Sequence, residues 1–123
     1  MPYTYTFTDK QSYLLCVTGG EVKDVTALIG YSETIIVETQ KRDRSRLLID
    51  DRALTVDLLP LEVAIFGDHL QNVDFTMLGL RIAVVYSPIN TAISRFFETA
   101  LTNRSVSFRT FKYLKAAEEW LIS

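Results

Sequence analysis

The chain has 123 residues, 48% of them hydrophobic and 23% charged, with a formal net charge of -2. This length suits one domain, and the composition excludes disorder and collagen-like repetition. The near balance of 13 basic and 15 acidic residues argues against nucleic-acid binding, which needs a concentrated basic surface.

The first residues alternate. Tyr3, Tyr5 and Phe7 stand between Thr4, Thr6 and Thr8, a period of two built from strong strand formers. Asp9-Lys10-Gln11 reads as a turn, and Ser12 to Thr18 as a second strand closing an antiparallel hairpin. Gly19-Gly20 is expected to end it. From Asp24 to about Lys41 the spacing becomes helical, with Val25, Leu28, Ile29, Ser32, Ile35 and Ile36 in one stripe and Asp24 as N-cap. Gly30 and the β-branched Ile35-Ile36-Val37 are weak spots in that helix.

Arg46 to Asp50 carries the unbroken apolar run Leu47-Leu48-Ile49, the mark of a strand covered on both faces. Asp57 is then expected to cap a helix over Leu58 to Gln71, with Pro60 in its first turn. Gly79 breaks the chain, and Leu80 to Tyr86 is another strand buried on both faces. Ser87-Pro88 marks a helix start whose apolar face is Ile89, Ala92, Ile93, Phe96, Phe97 and Ala100. It is expected to end near Asn103, a residue that tolerates a left-handed C-cap. Val106 to Phe111 alternates as a half-exposed strand, and Leu114 to Ile122 closes the chain as a helix. The order β-β-α-β-α-β-α-β-α predicts an α/β domain, 1–123. Its sheet is mixed and mainly parallel, with an N-terminal antiparallel hairpin and helices on the sheet faces.

Two further residues bound the chemistry. One cysteine, Cys16, excludes a disulfide framework and a cysteine-rich zinc site, and one histidine, His69, leaves little histidine chemistry. The N-terminus lacks the basic start and apolar run of a signal peptide, and no apolar run approaches the ~20 residues of a membrane span. With the unpaired thiol this gives an expectation of a cytoplasmic protein.

The order of elements resembles the STAS family, whose members are related to the antagonists of bacterial anti-sigma factors, and more closely bacterial STAS/Sec14-like proteins. The residues that carry the resemblance are Arg46-Leu47-Leu48-Ile49-Asp50-Asp51-Arg52, Arg81-Ile82-Ala83-Val84-Val85, Phe97-Glu98, Asn103-Arg104-Ser105, Arg109-Thr110-Phe111 and Ala116-Ala117-Glu118-Glu119-Trp120-Leu121. The resemblance covers nearly the whole chain. It implies a STAS-like fold and a regulatory module that binds a partner protein through the Asp51 to Leu61 segment. Phosphorylatable members carry Asp-Ser then Gly after the central strand. The matching stretch here, Asp50 to Asp57, has no such pair, and Thr55 is its one hydroxyl.

Asp50, Asp51, Arg52, Thr55 and Asp57 are the strongest cluster, placed at the C-terminal edge of a parallel strand, where open α/β sheets bind ligands. Ser87 would share that edge. These six either frame a partner or anion site or serve only as caps and an Asp–Arg pair. Sec14-like proteins hold lipids, and Phe66, Met77, Phe96 and Phe97 are the candidates to line such a pocket. Tyr3, Tyr5, Phe7 and Tyr13 make an aromatic hairpin suited to homodimerisation. No nucleophile stands beside a base, no glycine-rich loop follows a strand, and the acids are flanked by Arg52. The expectation is therefore a non-enzymatic interaction module without cofactor, metal or nucleic acid, with a small-ligand or lipid carrier as the alternative.

Overall fold

The alternating N-terminus forms the hairpin that its period requires. Tyr3–Lys10 (β1) and Tyr13–Val22 (β2) pair antiparallel, Lys10 opposite Tyr13 and Tyr3 opposite Gly20. The structure, a computed structural model, describes residues 2–71, 79–103 and 105–123, without the side chains of Leu70 and Gln71. Helix Val25–Lys41 (α1) follows, its Asp24 cap accepting the Ala27 N–H at 2.7 Å. Then come strand Arg46–Val56 (β3), helix Pro60–Gln71 (α2), strand Arg81–Tyr86 (β4) and helix Thr91–Thr102 (α3). Strand Ser107–Phe111 (β5) and helix Leu114–Ile122 (α4) close the chain. The sheet runs β1-β2-β3-β4-β5; the first pair is antiparallel and the other three are parallel.

Two cores sit on the two faces. On one, Leu28, Tyr31 and Ile35 of α1, Phe66 of α2 and Leu101 of α3 pack on Leu14, Cys16, Leu47, Ile49, Leu54, Ile82 and Val84. On the other, Ala117 and Leu121 of α4 pack on Tyr13, Leu48, Ala83 and Val85. Leu47, Leu48 and Ile49 therefore serve alternating faces, which is why the run is apolar throughout.

Several boundaries differ from the sequence expectation. Gly19-Gly20 does not end β2, which continues to Val22. Gly20 has φ +94, and a Cβ there would lie 2.4 Å from the Pro2 carbonyl oxygen, so glycine admits the close approach of β1 rather than a turn. β3 does not stop at Asp50 but runs to Val56. Its pairing with β2 steps from Val17–Asp50 to Gly19–Ala53, which places one extra residue on β3. That bulge resets the alternation, so that Leu54 and Val56 return to the same core as Leu47 and Ile49.

The helix starts shift as a consequence. α2 begins at Pro60, and Asp57 does not cap it; the Asp57 N–H donates to the Val22 carbonyl at 2.9 Å and prolongs the ladder. Glu62 takes the helix-start role, its Oε1 accepting the Leu59 N–H at 3.2 Å and its Oε2 the Val25 N–H at 3.0 Å. Pro88–Asn90 forms a single 3-10 turn, and α3 starts only at Thr91. Ser87 has extended backbone there but makes no side-chain capping bond. After α3 the left-handed residue is Ser105, with φ 65, while Asn103 stays right-handed helical.

Candidate functional site

The C-terminal end of the parallel strands is built by three polar side chains. Asp24 caps α1, and Glu62 ties the starts of α1 and α2 together. Asn90 replaces a missing strand. β4 pairs with β3 only as far as Asp51–Tyr86, and beyond it the Asn90 amide donates to the Leu54 carbonyl at 2.7 Å and accepts the Val56 N–H at 3.1 Å. A buried side chain thus satisfies backbone groups that would otherwise be orphaned.

The bulge decides where the acidic residues go. Asp50 and Arg52 lie on one face as a bidentate pair, with Nε–Oδ1 at 2.8 Å and Nη2–Oδ2 at 2.7 Å. Arg52 holds the Asp50 carboxyl below its ordinary range, chiefly through these hydrogen bonds. Asp51 lies on the opposite face. Its Oδ1 accepts the Tyr31 hydroxyl at 2.5 Å and lies 2.5 Å from Thr18 Oγ1, which is 3.1 Å from the Asp50 carbonyl. Burial raises the Asp51 carboxyl to about 6, although both hydroxyls work in the other direction. The same burial, with the Asp51 charge beside it, raises Tyr31 well above its usual range. Cys16 in the same core is pushed up to about 12, first by burial and then by Asp51. It is an inert packing thiol.

The six predicted rim residues are therefore not one cluster. Asp50 and Arg52 pair with each other, Asp51 faces the other way, and Thr55 lies in the ladder opposite Glu21. Asp57 is exposed in the connection before α2, and Ser87 precedes the 3-10 turn. Among the described residues no three His, Cys, Asp or Glu side chains converge as a metal site.

What the rim does gather is exposed apolar surface. Leu59 and Leu61 at the start of α2 are 69% and 72% exposed, and Ile89 in the 3-10 turn is 73% exposed. Ile65 adds to it one turn along α2. α2 is apolar on more than one side, and of its described side chains only Phe66 is fully buried.

A cavity of about 460 Å³ lies between the sheet and α1, α2 and α3. Ile35, Leu54, Phe66, Ile82 and Phe97 give it apolar walls, and Asp51, Asn90 and Ser94 are among its few polar groups. Two of the four residues expected to line a pocket, Phe66 and Phe97, do line it, with ring centroids 5.0 Å apart. Phe96 packs against Phe97 from outside and is 36% exposed. Met77 lies outside the described residues. Tyr31, Thr18, Asn90 and Ser94 were not singled out from the sequence. The buried positions of α1 are Leu28, Tyr31, Ile35 and Thr39, a helical spacing that was present but was phased on Ser32.

The aromatic hairpin also divides. Tyr3, Tyr5 and Phe7 pack on the α1 side, Tyr3 edge-on to Tyr31 at 5.5 Å. Tyr13 is buried on the other side and donates to Glu118 of α4 at 2.6 Å. The four rings do not form one surface, because strand alternation across the hairpin turn sends Tyr13 to the opposite face.

No protein-family model and no curated protein sequence matches the chain. Solved structures do. An anti-sigma factor antagonist from Mycobacterium paratuberculosis superposes with a TM-score of 0.61 at 17% identity, covering 98% of this chain and 95% of that one. The fold is STAS-like. A DUF3478-family protein with a SpoIIAA-like fold from Shewanella loihica PV-4 superposes with a TM-score of 0.52 at 17% identity, covering 97% of this chain and 93% of that one. The STAS-like sheet here keeps the mixed order and four helices expected from the sequence. Among the described residues no helix is long and apolar enough to cross a membrane.

Proposed function

We propose that this STAS-like domain is a non-enzymatic regulatory module of the cytoplasm that binds a partner protein through the connection after β3 and the start of α2. One observation carries the reading: Leu59, Leu61 and Ile89, in the segments that follow β3 and β4 at the C-terminal end of the sheet, are each about 70% exposed. Large apolar side chains grouped on a surface mark an interaction site more often than isolated ones do. Glu62 and Asn90 also tie the two segments that carry these residues to α1 and β3. A preformed apolar patch needs little ordering on association. One structural neighbour is named an anti-sigma factor antagonist, so an anti-sigma factor is the first partner to test.

The test compares the natural chain with the double variant Leu59→Asp, Leu61→Asp in a direct titration against candidate anti-sigma factors. Binding by the natural chain that weakens at least tenfold in the variant, with an unchanged melting temperature, supports the reading. Equal binding by both proteins contradicts it. Pairing of two copies along the free backbone edge of β1 is a separate proposal, read by sedimentation velocity.

A second reading, a small-ligand or lipid carrier, is favoured by the cavity. Its volume of about 460 Å³ falls within the roughly 300–1,000 Å³ typical of small-molecule sites. A purified protein whose native mass includes a non-covalent apolar ligand supports that reading, and a bare mass with no uptake of added amphiphiles contradicts it.

A further inference from the structure

We infer that the cavity under α1, α2 and α3 selects an apolar molecule bearing one positively charged amine, with the ammonium seated on Asp51. The inference rests on the carrier reading and specifies its ligand.

The charge distribution of the cavity supplies the argument. Its walls are mostly Leu, Ile, Val and Phe, and its ionisable carboxylates are Asp51 and Glu33. Glu33 is 64% exposed, so water solvates its charge, and the His69 Nε2 at 3.9 Å pairs with it only when protonated. Asp51 is enclosed instead. Among the described residues no lysine, arginine or histidine forms an ion pair with it. Its two hydrogen bonds, from Tyr31 and Thr18, both end on Oδ1. A carboxylate offers about four acceptor directions over two oxygens. Oδ2 therefore has accepting capacity that no described donor uses.

A carboxylate held in apolar surroundings is costly unless it meets a cation or further donors. The groups against it are neutral or acidic, Tyr31 from α1, Thr18 and Cys16 from β2, Tyr86 opposite it on β4 and Asp50 beside it on β3, while the neighbouring Arg52 is taken up by Asp50 and Arg42 acts only on Cys16 from farther off. An entering ammonium supplies the missing positive charge and two or three N–H donors in one group. Its hydrocarbon body buries against Ile35, Leu54 and Phe97. An amphiphile with a carboxylate head meets like charge at the same point and is rejected. A neutral alcohol gains a hydrogen bond but no charge pairing.

The experiment titrates the full chain with decylamine, 1-decanol and decanoate, each below its micelle concentration, by calorimetry and by amide chemical-shift mapping. The expected order is decylamine tighter than decanol by on the order of ten- to a hundredfold, with decanoate weakest and shifts centred on Tyr31, Asp51 and Ser94. In Asp51→Asn, which keeps an acceptor for Tyr31 and Thr18, the amine preference falls to within about threefold. Decanol or decanoate binding as tightly as decylamine overturns the inference and leaves the carrier reading standing. So does an amine preference that survives Asp51→Asn. Absence of binding by all three overturns both. Should the variant fold poorly, the order of the three ligands on the natural chain decides alone.

Discussion

Asp51 makes stability depend on pH in an unusual direction. Its carboxyl is raised from an ordinary 3.8 to about 6 because burial disfavours the ion. The folded protein therefore binds the proton more tightly than the unfolded chain does, and folding loses stability as pH climbs between those two values. Each tenfold change in proton affinity corresponds to about 1.4 kcal/mol, so the Asp51 contribution reaches about 3 kcal/mol at most. Asp50 acts oppositely, since Arg52 lowers its carboxyl, but its window lies below 3.8. The two effects separate on the pH axis. The assay is urea unfolding of the natural chain and of Asp51→Asn at half-unit steps from pH 4 to pH 7.5. The natural chain should lose stability relative to the variant across this range, by 1–3 kcal/mol as an order of magnitude, with most of the change between pH 4.5 and 6.5. A difference curve that is flat, or that rises with pH, would refute the placement of Asp51 in a desolvated site.

Three further outcomes follow from the bulge and the rim. Leu54→Ala should cost about 2–5 kcal/mol by chemical denaturation, because Leu54 is 1% exposed; a loss under 1 kcal/mol would return residues 51–56 to a loop. Gly20→Ala should cost roughly 1–3 kcal/mol, since its φ is +94 and the added Cβ would meet the Pro2 carbonyl; an unchanged melting temperature would contradict that approach. Leu61→Asp should change stability by no more than about 0.5 kcal/mol, because the side chain is 72% exposed; strong destabilisation would mean that the rim leucines are core.

Most of the architecture was legible because it rests on period and punctuation. The alternating N-terminus, the doubly covered Leu47-Leu48-Ile49 and the Asp24 cap each carry a local signal that the packed structure preserves. The bulge was not legible. Asp50-Asp51-Arg52-Ala53 breaks strand alternation and is polar, so it resembles a loop when read alone; only pairing with Val17 to Gly19 of β2 reveals the extra residue that restores the phase. The cap expected at Asp57 and the grouping of six polar residues on one rim both follow from ending the strand at Asp50. Asn90 was hidden for a similar reason, since its two bonds reach residues more than thirty positions away. Phe66 and Phe97 meet beside the cavity because helix periodicity brings both inward on adjacent helices. Tyr31 was missed because the apolar stripe of α1 phases on Ser32, and its local sequence shows nothing of the β3 carboxylate it meets.

The most direct test of the interaction proposal is hydrogen exchange of the chain alone and saturated with a binding partner identified by titration. Slowed amide exchange should be confined to residues 57–65 and 87–91, with α4 unchanged. Protection centred on Leu114–Ile122, with none at the start of α2, would contradict it.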